Sequence, residues 1–315
     1  KPNKLLLVEL NEFALYKVYE ELISLNKNLK IISLLVNVQN QEKLEAILET
    51  FKVDTVYHAA AYKHVPLVEE NICESVKNNV LGTFNLAETA LKYNVSNFVL
   101  ISSDKAVRST NIMGATKRLA EISVQSLYHS QNKQSKFAIV RFGNVLESSG
   151  SVIPKFKKQI KEGGPITLTH PKVTRYFMTI TEASQLVIQS SSLALGGEVF
   201  LLDMGKPVKI LDLAKQMVAL SGLTIKNDEN PNGDIEIIIT GLRSGEKLYE
   251  ELLIDDNSKA TLHPLIFKAE EDFINYDEII SITKKMEKSL NNYDLEKSLS
   301  FLKEIVPEWQ RSSRD

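Results

Sequence analysis

A chain of 315 residues, 43% apolar and 25% charged, has the make-up of one large α/β domain with a smaller lobe, or of two ordinary domains, and not of a disordered, collagen-like or coiled-coil chain. Lysine and arginine number 38 against 40 aspartates and glutamates, so the net charge of −2 gives no electrostatic case for nucleic acid or an anionic membrane as main partner. A single cysteine, Cys73, excludes an internal disulfide framework and predicts a reducing, cytoplasmic setting, and no apolar run approaches the ~18 residues that span a bilayer.

Short apolar runs alternate with amphipathic segments. Lys4–Leu10 reads as a buried strand, and Glu12–Leu25 then places Leu15, Tyr16, Tyr19, Leu22 and Ile23 at helical spacing. Ile31–Val36 predicts a strand, Gln41–Phe51 a helix, Thr55–Ala59 a strand and Glu74–Tyr93 a long helix. Phe98–Ser102, Met113–His129 and Phe137–Phe142 follow as strand, helix and strand. This alternation with short connections predicts an α/β fold, a doubly wound parallel, Rossmann-like sheet with helices on both faces. After about Gly150, glycine and proline punctuate shorter elements; Val199–Leu202 and Ile235–Ile239 predict late strands, Ile210–Ser221 and Asp277–Leu302 helices. The expected division is residues 1–165 as the main domain and 166–315 as mainly a smaller C-terminal lobe, interleaved with the end of the main sheet.

In an open parallel sheet, ligands bind beyond the carboxyl ends of the strands. Three segments fall there: Ala60–Pro66, Ser102–Lys105 and Gly143–Leu146. Ser102-Ser103-Asp104-Lys105 brings hydroxyl, carboxyl and ammonium groups into one loop, the parts of a proton-transfer site, although a solvated turn with a surface ion pair has the same composition. Lys117 lies one helical turn after Met113, so both face the same way.

Several segments in order, Ala59-Ala60-Ala61-Tyr62-Lys63-His64-Val65-Pro66, Ser103-Asp104-Lys105-Ala106-Val107, Met113-Gly114-Ala115-Thr116-Lys117-Arg118, Arg141-Phe142-Gly143-Asn144-Val145 and Gly241-Leu242-Arg243-Ser244-Gly245-Glu246-Lys247, carry a family resemblance over roughly residues 4–255. The chain resembles the extended short-chain dehydrogenases/reductases, and within them the bacterial polysaccharide-biosynthesis UDP-N-acetylglucosamine 4,6-dehydratases. There are three departures. Relatives open with a strand, a glycine-rich turn and a helix that hold the NAD pyrophosphate, whereas the first glycine here is Gly82. Met113 stands where the superfamily has tyrosine, which resembles the Met-containing, C5-retaining subgroup. Val36-Asn37-Val38 replaces the usual Gly-Asp-Val at the adenine pocket.

The resemblance implies NAD as a bound cofactor and a UDP-N-acetylglucosamine-type nucleotide sugar as substrate, oxidised at C4, stripped of water across C5 and C6, and reduced at C6. It implies Asp104 as acid at O6 with a raised pKa, and Lys105 as base at C5 with a lowered one. Because Met113 moves no proton, the C4 step falls to Ser103, Lys117, Asp104 or a water; Ser103 against O4, with Lys117 on the nicotinamide ribose, is favoured. Cofactor contacts carried over are Glu9, Asn37, Val38, Ala59, Ala60, Ala61, Lys63, Asn79 and Ser102 besides Lys117. Asn79 is also expected to brace the active-site loop. Substrate contacts are His64, Asn144, Val145, Arg175, Arg243 and Glu246, with the two guanidiniums on the diphosphate. His58, His129, His170 and His263 are read as structural or exposed, and no zinc-ligand spacing is present, so no metal is proposed. The resemblance further implies a homo-oligomer, and a parent attached to the inner membrane by upstream helices, as in longer family members. A missing first strand, central between Lys4–Leu10 and Thr55–Ala59, is expected to be supplied by about 20–30 upstream residues, the usual βα unit. A 4-epimerase, a C5-inverting dehydratase and a non-catalytic fragment without the NAD loop are the alternatives.

Overall fold

The computed structural model of the protein describes residues 2–130, 135–251, 254 and 258–310. The apolar runs of the first half form parallel strands: β1 (Lys4–Glu9), β2 (Lys30–Leu35), β3 (Thr55–His58), β4 (Asn97–Ile101) and β5 (Lys136–Arg141). Between them lie α1 (Glu12–Leu25), α2 (Gln41–Phe51), α3 (Val65–Glu70), α4 (Ile72–Val76), α5 (Gly82–Lys92) and α6 (Ile112–Ser130). In the second half come β6 (Asn144–Val145), α7 (Val152–Lys161), β7 (Ile166–Leu168), β8 (Thr174–Arg175), β9 (Phe177–Met178), α8 (Ile180–Leu193), β10 (Glu198–Leu202), β11 (Val208–Lys209) and α9 (Ile210–Leu220). The chain continues through β12 (Ile225–Lys226), β13 (Ile235–Ile239), β14 (Lys259–Ala260), β15 (Ile266–Ala269), α10 (Tyr276–Asn291) and α11 (Leu295–Ile305).

The main sheet runs β14-β15-β10-β5-β4-β3, parallel from β10 to β3. The middles of its central strands are apolar on both faces because both faces are covered, with polar residues confined to their ends. On β4 and β5, Phe98, Leu100, Phe137 and Ile139 turn to the layer of α5 and α6, where the two phenylalanine rings stack 4.8 Å apart. The alternate residues Val99, Ala138 and Val140 turn to α8. β1 and β2 pair only with each other among the described residues, and β3 pairs only with β4. One edge of β1 and one edge of β3 are therefore free of ladder hydrogen bonds.

The expected Glu74–Tyr93 helix is interrupted by a π turn at Lys77–Leu81, whose extra residue swings both Asn78 and Asn79 inward. The expected Asp277–Leu302 helix is two helices. Tyr293 at φ 56° breaks the ladder, and Asp294 caps α11 by accepting from Lys297 N. Helices α3, α7 and α8 are additions to the sequence reading, as is the edge hairpin β14–β15. The small lobe is the sheet β12-β13-β7 with α7 and α9 around Phe156, Ile166, Ile210 and Ile235. The last two helices pack instead on the main core through Ile282, Met286, Leu290, Leu302 and Ile305.

Candidate active site

The loops beyond β3, β4 and β5 meet the small lobe around a cavity of about 450 Å³. Each loop is fixed by its neighbours. After β3, Asn78 Nδ2 donates to Ala60 O at 3.1 Å, and Asn79 grips Tyr62 on both sides, accepting from its N–H at 2.8 Å and donating to its carbonyl at 3.1 Å. Asn79 Nδ2 also donates to Thr116 Oγ1 at 3.1 Å, which ties the loop to α6. After β4, Ser103 Oγ accepts from Lys105 N and caps the short turn Asp104–Ala106. That turn lies directly on α6, where an added Cβ at Gly114 would stand 2.1 Å from Lys105 O, so only glycine permits the approach.

Ser103, Lys105, Met113 and Lys117 line one side of the cavity, together with Ala59, Ala61, Lys63, His64 and Ser102. Asn144 and Val145 line it from the loop after β5, and Arg175, Arg243 and Glu246 from the small lobe. The fold thus brings together residues from six separate stretches of the chain. The Ser102 hydroxyl itself points away into the protein, donating to Glu121 at 2.5 Å.

Other carried-over positions lie elsewhere. Asn79 is buried and does not line the cavity; what the structure shows of it is the loop brace. Glu9 turns back at the end of β1 and accepts from Leu10 N and Asn11 N, both 2.9 Å. Asn37 Oδ1 accepts from Gln39 N at 2.9 Å, and Val38 is buried where a Cβ on Gly82 would meet it at 3.0 Å. Ala60 is exposed beside the cavity rather than on its wall. Asp104 also stands behind the wall. It is 1% exposed, and its Oδ1 receives Ser103 Oγ and Lys105 Nζ, each at 2.8 Å.

The charge state of Lys105 differs from the expected one. Burial opposes its ammonium, but Asp104 at 2.8 Å and Glu250 at 3.3 Å outweigh that, and its pKa is raised, not lowered. Glu250, 3% exposed, was not singled out in the sequence; it joins Lys105 to Arg175 Nε, also at 3.3 Å. Arg175 is further held by Glu246 at 3.2 Å. Among the described residues Lys117 has no such carboxylate pair. Burial pushes its pKa down to about 8, with Lys105 and Lys63 adding to the effect against Glu121, and its Nζ lies 3.3 Å from Ile101 O.

Beneath the site lies a buried ionic group that sequence reasoning missed. Glu121 receives Arg141 Nε at 2.8 Å and Nη2 at 2.5 Å, Arg118 at 3.3 Å and the Ser102 hydroxyl. Burial opposes its charge, but Arg141 foremost keeps its pKa lowered. Arg141 lies at the head of the Arg-Phe-Gly-Asn-Val segment, which was the available signal. Among the described residues, no helix is long and apolar enough to cross a membrane, and no group of three or more histidine, cysteine, aspartate or glutamate side chains is placed to hold a metal ion.

A parallel sheet flanked by helices, a strand-end serine and a lysine on the following helix, all opening on one cavity, define a Rossmann-like protein of the short-chain dehydrogenase/reductase type. The chain belongs to the family described as polysaccharide biosynthesis protein, whose profile matches residues 1–271. It is 49% identical over 304 residues to the capsular polysaccharide biosynthesis protein CapD of Staphylococcus aureus, covering 95% of this chain and 48% of that protein. The UDP-N-acetylglucosamine 4,6-dehydratase (inverting) of Campylobacter jejuni is 33% identical over 267 residues, 83% of this chain and 72% of that protein. Among solved structures, Pen from Bacillus thuringiensis superposes with a TM-score of 0.75 at 33% identity, covering 88% of this chain and 82% of that one. The chain spans about half the length of the first curated relatives it matches.

Proposed function

We propose that the site dehydrates a UDP-N-acetylglucosamine-type nucleotide sugar to a 4-keto-6-deoxy sugar for surface glycan synthesis, with NAD as bound cofactor and retention at C5. The observation that carries this reading is the Ser103–Asp104–Lys105 cluster at one end of the cavity, opposite a small lobe bearing Arg175 and Arg243. Epimerisation at C4 needs proton transfer at O4 alone; elimination across C5 and C6 needs a base at C5 and an acid at O6 besides.

The residues present fit a dinucleotide at the end nearest Lys117, where Ala59 and Ala61 leave the wall low and a buried amine is available for a ribose hydroxyl. When bound there, NAD supplies the hydride acceptor for C4 and the donor for C6. One edge of β1 and one edge of β3 have no strand partner among the described residues, and an open edge of this kind can accept a further strand. Residues 1–165 then bind cofactor and 166–315 mainly substrate. The family's longer members motivate an inner-membrane parent and a homo-oligomer.

Asp104 and Lys105 share one short contact, and in the ligand-free site Lys105 holds the proton, its pKa raised against burial by the neighbouring Asp104 and Glu250. Transfer of that proton across the 2.8 Å Nζ–Oδ1 contact yields an amine and a carboxylic acid at once. A substrate covering the cavity removes water and so favours this neutral pair. The Lys105 amine then takes the C5 proton, and Asp104 supplies a proton to the leaving C6 hydroxyl by way of Ser103. Arg175 exchanges its carboxylate partners for the diphosphate, to which its planar fork is suited.

The test is incubation of the protein with UDP-N-acetylglucosamine and NAD in D2O. One deuterium at C5 of a 6-deoxy product is the expected result. A product with its 6-hydroxyl intact refutes dehydration.

A further inference from the structure

The two oxygens of Asp104 have different surroundings. Oδ1 is held by Ser103 and Lys105 at the front, whereas Oδ2 is buried and has no hydrogen-bond partner among the described residues. A buried carboxylate oxygen without a donor is costly, so a donor there is physically demanded. Behind it lies a second cavity of about 200 Å³, walled by Asp104, Gly143, Tyr176, Asp203 and Met204. The main cavity is lined by Ser103 and Lys105 but not by Asp104, and Gly143 is the one wall the two share. A Cβ on Gly143 would stand 3.0 Å from Asp104 Oδ2 and 3.3 Å from both Met204 Cε and Tyr176 O, closing the space next to the carboxylate. The other end of the rear cavity reaches Gly205, which is exposed, past a partly exposed Asp203.

A cavity of this size has room for several waters at about 30 Å³ each, and a stable buried water needs two to four polar partners. Asp104 Oδ2 and Tyr176 O provide two, and Asp203, whose Oδ1 accepts from Gly205 N at 2.8 Å, lines the same cavity; among the described residues the Tyr176 carbonyl takes one protein donor, Asn144 N at 3.0 Å. Leu202 and Met204 supply apolar wall that offers Oδ2 nothing.

We propose that this rear cavity is a water site serving Asp104, through which its carboxyl exchanges protons with solvent while a substrate covers the front. The inference rests on Asp104 being the acid of the proposed reaction. A bound water donates to Oδ2 when Asp104 is ionised and accepts from it when Asp104 is protonated. A proton leaving Oδ2 breaks that O–H bond and forms one on water; return reverses it, with no net gain. Once Asp104 has passed the proton it took from Lys105 forward through Ser103, the rear water replaces it, and Gly143 is glycine because a side chain there would seal the carboxylate off.

A high-resolution crystal structure of the protein and of Met204→Phe tests this, with Met204→Leu as a control that conserves volume. Expected in the parent is an ordered water within about 3 Å of Asp104 Oδ2. Met204→Phe should displace it with the Ser103–Asp104 contact kept, and should lower kcat about tenfold at unchanged KM for the UDP-sugar, while Met204→Leu stays within about twofold of the parent. A dry cavity, or a protein donor on Oδ2, overturns the water site. Displacement of the water with kcat unchanged overturns the proton route. Absence of any dehydration refutes the functional reading alone, because the crystallographic arm does not depend on turnover.

Discussion

His58 closes β3 directly beneath the site, 3% exposed, with Nε2 2.8 Å from Thr83 Oγ1. Burial first, and then the charge of Lys117, lower its pKa from 6.5 to about 4. The folded protein therefore keeps this imidazole neutral through a range in which the unfolded chain protonates it. Stability is unaffected above about pH 6.5 and falls as the pH drops toward 4, because the unfolded state binds the extra proton. The fall from 6.5 to about 4 amounts to about 3 kcal/mol lost across that window from this one residue. His58→Gln keeps a polar group for Thr83 but removes the titration. At pH 7 the variant should be the less stable protein, and by pH 4 its deficit should shrink by about 3 kcal/mol. Urea unfolding at half-unit pH steps measures the difference, in which the titrations of other groups cancel. Parallel curves for the two proteins would refute the claim that His58 is held neutral.

Three further outcomes follow from the same geometry. Asp104→Asn should slow water elimination by about 10²–10⁴ while C4 oxidation in single turnover changes little, and a rate within threefold of wild type would remove Asp104 from the mechanism. Glu250→Gln takes away one of the two carboxylates that hold each of Lys105 and Arg175, so NMR titration should find the Lys105 pKa lower and calorimetry should find UDP binding tighter; no change in either would mean that the contacts at 3.3 Å are idle. Glu121→Gln leaves the guanidiniums of Arg141 and Arg118 without their shared buried carboxylate, at a cost of about 3–5 kcal/mol in denaturant unfolding.

Much of the fold was legible in the sequence because its signal is local. Helix α2 and strand β13 occupy the predicted bounds, and the other strands of the first half agree to within a residue or so, since an apolar run covered on both faces carries its own signature. The rule that ligands gather at strand ends also selected the three loops that line the cavity, and the order of motifs indicated which side chains would meet there. Tertiary structure alone decided what those side chains do once together. The π turn that aims Asn79 at Tyr62 depends on backbone hydrogen bonding that no residue type dictates. Lys105 is a stabilised cation because Glu250, 145 positions along the chain, folds over it; sequence adjacency revealed Asp104 but not the second carboxylate. Glu121 could be placed on its helix from the sequence, yet its charge survives burial only because Arg141 and Arg118 converge on it. Periodicity and motif order are written along the chain, whereas the protonation of a buried group is a sum over neighbours in space, and only the fold selects those neighbours.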